Sequence, residues 1–298
     1  MNLMHQHGAR PCAAHRPHPR PRRHTASAAL LPLLAAALAA CASGHIDAPS
    51  AAVAAPNPQV LLLGEVHDNA QGQRARHAQL QRLVEAGWRP AIAMEQFDQE
   101  NQALLTRAQK DCADADCIIR VMAGPRWDWA QYRPVLELAL SYQLPLIAAN
   151  LSRADASRTV RDGVKASFDG ATVQAYRLDA PLPADIRAGQ EREVAAGHCD
   201  MLPASMVGGM VEAQIARDIW MARLIRRQQP RDVVLLAGNG HVRKDIGVPR
   251  WLELGGPALT VRSEAYLEQG GKQVPGAYDV VHTVKPQARP DPCAGLKR

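Results

Sequence analysis

Two histidines and two glutamates in this chain share one local setting. Each sits directly behind an apolar run that reads as a buried strand: Glu65 and His67 in Gly64-Glu65-Val66-His67 after VLLL, Glu95 after AIAM, and His241 in Gly238-Asn239-Gly240-His241 after VVLLA. Asn150 follows PLIAA in the same way. Imidazoles beside carboxylates suit a borderline divalent ion or proton transfer, whereas Ca²⁺ and Mg²⁺ prefer oxygen shells. On the metal reading His67, Glu95 and His241 hold the ion. Glu65 then acts as general base on metal-bound water, whose pKa a metal lowers toward ~7. Each residue also has a plainer role. A lone histidine past a strand often caps or packs, Glu65 would sit well at a helix N-terminus, and Asp68 and Asn69 suit a helix start. His77 reads as a surface residue, and Trp127 and Trp129 as packing aromatics.

What favours a site is convergence, and convergence depends on the elements that carry these residues. Short buried strands are predicted at 60–63, 91–94, 146–149 and 233–237, with further strands at 258–262 and 279–283. Helical spacing of apolar residues marks 73–86, stopped by Gly87, and then roughly 98–110 and 130–143. The alternation predicts an α/β fold with a mostly parallel sheet flanked by helices. In such a sheet, ligands bind outside the carboxyl ends of the strands, which brings these polar clusters to one crevice. Residues 151–230 contain no convincing strand and predict a helical insertion subdomain. Its last helix, 204–228, places Gln214, Asp218 and Met221 on one face.

The first 40 residues belong to targeting. Residues 1–29 carry five arginines and no acid, and a short apolar stretch of about 11 residues ends in Leu38-Ala39-Ala40-Cys41. This is the order of a secretory signal, and the stretch is too short to span a bilayer, which takes roughly 20 apolar residues. Leu-Ala-Ala-Cys resembles a lipobox, so Cys41 is expected to carry lipid and to open a linker over residues 41–58. An α/β domain then fills residues 59–298. Without the five arginines the chain has 30 basic against 29 acidic side chains, a net charge of about +1 in place of +6. No basic stripe interleaved with aromatics remains, which excludes nucleic acid as a partner. Four cysteines are left in the exported part, Cys112, Cys117, Cys199 and Cys293, and oxidising surroundings favour two disulfides. Cys112 and Cys117 flank a short acidic loop and suit a local bridge, leaving Cys199 for Cys293. Zinc is disfavoured at these four, because no C-x-x-C spacing occurs.

Several runs together carry a family resemblance: GEVHDN, AMEQF, W-x-x-Y-x-P-x-L-E-L-A, LPLIAAN, HC-x-M, M-x-x-A-Q-x-x-R-D-x-x-M-A and LLAGNGHVRKDIGVP. In this order, over about residues 58–262, they resemble the ChaN-type lipoproteins, the haem-binding branch of the Tiki/TraB-like superfamily. The resemblance implies an envelope lipoprotein with an α/β core and a small helical subdomain. Its implied partners are haem or an iron compound in iron acquisition, the membrane through the lipid anchor, and a second copy in a homodimer. Cofacial haem with tyrosine ligation at a dimer interface is part of that expectation, with the outer membrane, facing the periplasm, as the location. The wider superfamily includes metal-dependent proteases with paired Gly-x-x-His motifs, which His67 and His241 match. Among five tyrosines only Tyr132 lies in a closely matched run. Tyr176, in the helical insertion, is the candidate axial ligand and His198 the alternative. Two functions stay open: a haem binder without chemistry, and a hydrolase dependent on a divalent metal ion. A third reading is a passive interaction lipoprotein whose polar crevice is vestigial.

Overall fold

The computed structural model describes residues 56–271, 273–291 and 293–294. The signal-like segment, Cys41 and most of the linker lie outside these residues. Six strands, β1 (Val60–Glu65), β2 (Ala91–Asp98), β3 (Leu146–Asn150), β4 (Val233–Gly238), β5 (Val261–Glu268) and β6 (Val280–Val284), form one sheet in the order β3-β2-β4-β1-β5-β6. Every neighbouring pair is parallel. A parallel sheet needs cover on both faces, and its central strands are accordingly apolar up to their carboxyl ends.

The period-2 alternation divides those strands between two cores. Leu61, Leu63, Ile92, Met94, Val234 and Leu236 pack under α1 (Ala70–Glu85), α2 (Gln102–Asp111), α3 (Ala115–Met122) and α4 (Trp129–Ser141). Val60, Leu62, Ala93, Val233, Leu235 and Ala237 face α5 (Arg153–Asp162), α6 (Gly170–Ala175), α7 (Ala184–Gly197), α8 (Ala204–Gln228) and α9 (Val248–Leu254). Residues 151–230 are helical, as the sequence predicts, but they are not a separate lobe. Val211, Ile215, Ile219, Ala222 and Ile225 of α8 share one core with the sheet, so this stretch is one of its two covering layers.

Two smaller differences have clear causes. The strands that carry the polar clusters run past their apolar cores: β1 includes Glu65, β2 reaches Asp98 and β4 includes Gly238. The acidic loop between Cys112 and Cys117 opens the unforeseen α3, whose N-cap Asp114 accepts from the Cys117 N–H at 2.7 Å. Both disulfides are formed, Cys112–Cys117 and Cys199–Cys293, with Cα–Cα distances of 5.5 and 5.7 Å. The tail beyond β6 is held as well, because Arg289 reaches both Asp68 and Glu268 at 2.7 Å. Among the described residues no helix is long and apolar enough to cross a membrane.

Candidate functional site

The sheet order explains why the polar clusters meet. β2, β4 and β1 are neighbours, so the ends that carry Glu95, Gly238 and Glu65 lie side by side. A Cβ on Gly64 would stand 2.2 Å from Asn239 Oδ1 and 2.8 Å from Val242 Cγ2, so only glycine lets the two Gly-x-x-His segments approach.

Glu65 is buried, and its carboxylate is fully engaged. It accepts from His67 Nδ1 and the Tyr132 hydroxyl, both at 2.7 Å, and from Gln96 Nε2 at 3.1 Å. Arg76, itself buried, forms an ion pair with the other oxygen. Burial alone would raise the pKa of this group, but Arg76, His67 and Tyr132 outweigh it and hold the carboxyl down to about 2. The same environment pushes the Tyr132 phenol up, through burial and the adjacent Glu65 charge. Such a carboxylate orients its neighbours and is a poor proton acceptor. The general-base role considered for Glu65 does not fit this geometry.

His241 repeats the arrangement from the other side. Its Nδ1 lies 2.6 Å from Asp218 Oδ1, and Gln190 Nε2 donates to Asp218 Oδ2 at 3.1 Å. Burial lifts the Asp218 carboxyl to about 6 against the pull of His241. Burial opposes the charge on both imidazoles as well. For His67 the hydrogen bond to Glu65 and the charge of Glu95 outweigh burial, and for His241 the charges of Asp218 and Glu95 do, so both are raised. Glu95 stands between them, with Oε1 3.6 Å from His241 Nε2 and Oε2 accepting the Gly238 N–H at 2.8 Å. The His67 ring packs over Gly238, where a Cβ would lie 3.1 Å from Nε2.

The structure thus brings together Glu65, His67, Glu95 and His241. Among the described residues no group of three or more His, Cys, Asp or Glu could hold an ion as placed. Each imidazole is held through Nδ1, by Glu65 and by Asp218, which leaves both Nε2 atoms and Glu95 Oε1 without a hydrogen-bond partner of that kind. Sequence reasoning missed Asp218 as the partner of His241, although an acid within the apolar stripe of α8 was a usable signal. It also missed Arg76 and Tyr132 as partners of Glu65; Tyr132 lies in the matched W-x-x-Y run, but nothing local shows what it contacts.

These residues open onto a crevice of about 620 Å³, lined among others by His67, His241, Val194, His198, Leu267 and Tyr278. Its size suits a cofactor-scale ligand. His198 closes α7, and its Nδ1 lies 2.7 Å from the Val194 carbonyl. A carbonyl only accepts, so Nδ1 is the donor, and in the neutral ring Nε2 keeps its lone pair. Tyr176 is elsewhere. It ends α6, is 5% exposed within the core shared by α5–α9 and does not line the crevice. Burial pushes its hydroxyl up to about 12, which opposes the tyrosinate form a metal would need. The two alternative axial ligands are therefore in different places.

Comparison with known proteins gives the family. A family model described as haem-binding uptake, Tiki superfamily, ChaN, matches residues 52–252. No curated protein matches the chain. Among solved structures, the cofacial haem complex of ChaN from Campylobacter jejuni superposes with a TM-score of 0.60 at 20% identity, covering 75% of this chain and 86% of that one. At that identity the likeness shows the fold. A mutant erythromycin esterase in its open conformation has a TM-score of 0.40 at 18% identity, covering 72% of this chain and 71% of its own. That likeness is too loose to carry an argument. With the family match spanning about two thirds of the sequence, the chain belongs to the haem-binding uptake family ChaN of the Tiki superfamily.

Proposed function

We propose that this protein binds haem in the crevice at the carboxyl ends of β1, β2 and β4, with His198 as the axial ligand. The observation that carries this reading is the His198 tautomer: the hydrogen bond to Val194 fixes the proton on Nδ1 and leaves Nε2 free toward an iron. Iron-ligating imidazoles are oriented in this way by a carbonyl or carboxylate behind the ring. Val66, Val194, Leu267 and Val274 add the apolar lining that a porphyrin face requires. Haem, when bound, supplies an iron that takes an imidazole nitrogen as axial ligand. The test is a haem titration of the mature protein followed at the Soret band. His198→Ala should weaken binding by about tenfold or more, while Tyr176→Phe should leave it unchanged. Wild-type binding by His198→Ala, or loss in Tyr176→Phe, would sink the assignment.

On the same reading the chain is an exported lipoprotein for iron acquisition, anchored through Cys41 to the outer membrane and facing the periplasm. The Leu-Ala-Ala-Cys run supports it, as do the two disulfides, which persist in oxidising compartments. Cys41→Ser should leave an unprocessed or soluble precursor on cell fractionation. Normal maturation of that variant in the membrane fraction would refute the anchor. A homodimer is the expected form of the haem complex. Met201 and Met206, 47% and 48% exposed on the segment that follows His198, supply apolar surface for a second copy.

A further inference from the structure

A second hollow, of about 330 Å³, lies apart from the crevice and shares no lining residue with it. We propose that Arg223, Arg226, Arg227 and Tyr176 make it a binding site for a phosphate group, carried by a soluble phosphate ester or by a phospholipid headgroup.

The three arginines stand at i, i+3 and i+4 in the last two turns of α8, so they project from one face. Like charges at this spacing repel, and the negative end of the helix dipole offsets only part of that repulsion. A single carboxylate, Asp169, lines the hollow. It pairs with Arg223, while its other oxygen caps α6 by accepting the Thr172 N–H at 2.8 Å. Arg226 donates to the carbonyls of Leu252 and Pro257, and its Nε is buried without a hydrogen-bond partner. Arg227 is exposed and forms no ion pair among the described residues. The lining therefore carries three positive charges against one negative.

The backbone is shaped to bring these groups together. A Cβ on Gly255 would fall 2.5–2.8 Å from the hydroxyl end of the Tyr176 ring, and one on Gly256 would fall 3.0 Å from Arg226 Nη1. The glycine pair that follows α9 thus makes room for both the phenol and the guanidinium, and the φ of +148° at Gly256 disfavours any other residue. Burial and then the neighbouring Arg227 charge push the Arg223 pKa down, and burial keeps the Tyr176 hydroxyl protonated as a donor. Guanidinium groups offer forked donors that match phosphate oxygens, and a dianion would supply the charge this cluster lacks.

The experiment uses the mature chain without its acyl groups, from Ala42 onward, with inorganic phosphate, followed by calorimetry. In parallel, it is mixed with phosphatidylcholine vesicles made with and without phosphatidic acid. Arg227→Gln and Arg223→Gln/Arg227→Gln are compared with wild type, and the haem titration serves as the control for folding. Phosphate should bind the wild type well below about 10 mM, and the double variant should bind about tenfold more weakly or worse. Arg227→Gln, which removes an exposed side chain without a partner, should already weaken it. Recruitment to vesicles only when phosphatidic acid is present identifies the lipid as the source. Phosphate binding without recruitment identifies a soluble ester. No phosphate binding by the wild type below about 10 mM together with no recruitment overturns the proposal. So does equal binding by wild type and double variant with haem binding intact.

Discussion

A carboxylate enclosed by an arginine, a histidine and a phenol is favoured only while it is charged, and Glu65 is in that position. Its pKa falls from an ordinary 4.5 to about 2 in the fold. A depressed carboxylate pKa contributes stability that is full above the unfolded value and is lost as the pH falls through the folded one. For Glu65 that window runs from about pH 4.5 down to about pH 2, and linkage gives it a weight of about 3 kcal/mol. Acid unfolding followed by circular dichroism should show this loss, and Glu65→Gln should flatten it. At neutral pH the same substitution leaves Arg76 buried without its counter-charge, which typically costs about 3–5 kcal/mol. A Glu65→Gln protein as stable as wild type at pH 7 would show that the Arg76 pair does not support the site. His67 would then be placed by its loop rather than by Glu65.

At the level of elements, the two Gly-x-x-His segments are held by contact between the ends of β1 and β4. Gly64→Ala places a methyl group against Asn239 and Val242, and overpacking of this kind costs about 1–3 kcal/mol. We expect a lowered thermal midpoint and weaker haem binding together, because the clash lies at the floor of the crevice. A fall in midpoint with unchanged haem affinity would separate the strand ends from the ligand. The sequence made this convergence visible because each strand is a compact apolar run and each polar cluster follows directly. The α8 helix was legible for a similar reason, since its apolar residues recur at helical spacing over 25 residues. The strand ends were less so: Glu65 and Glu95 look like loop residues until Arg76, Tyr132 and the Gly238 N–H are known to meet them. Periodicity does not show what packs against Tyr176, the candidate axial ligand, and here it is the α5–α9 core. Asp218, Arg76 and Tyr132 come from three helices on two faces of the sheet, and only tertiary packing selects them.

For the whole molecule, the disulfides divide the work unequally. Cys112–Cys117 closes a separation of 5 residues and Cys199–Cys293 one of 94. On the chain-entropy account these contribute about 2 and about 4–5 kcal/mol respectively. Cys199→Ser/Cys293→Ser should therefore lower the thermal midpoint clearly more than Cys112→Ser/Cys117→Ser. The reverse order would mean that native contacts of α2 and α3, not loop closure, dominate.

The longer bridge encloses β4, β5 and β6, and it fastens the tail to the residue next to His198. His198, which lines the crevice, is consequently next to a residue held by an oxidation that requires Cys293. Ligand capacity then becomes a property of the matured molecule rather than of the newly folded one. A preparation from a reducing cytoplasm should register as a poorer haem binder, and oxidation should restore it without any change in sequence. Comparing the two by Soret titration would show whether the Cys199–Cys293 bridge sets ligand capacity.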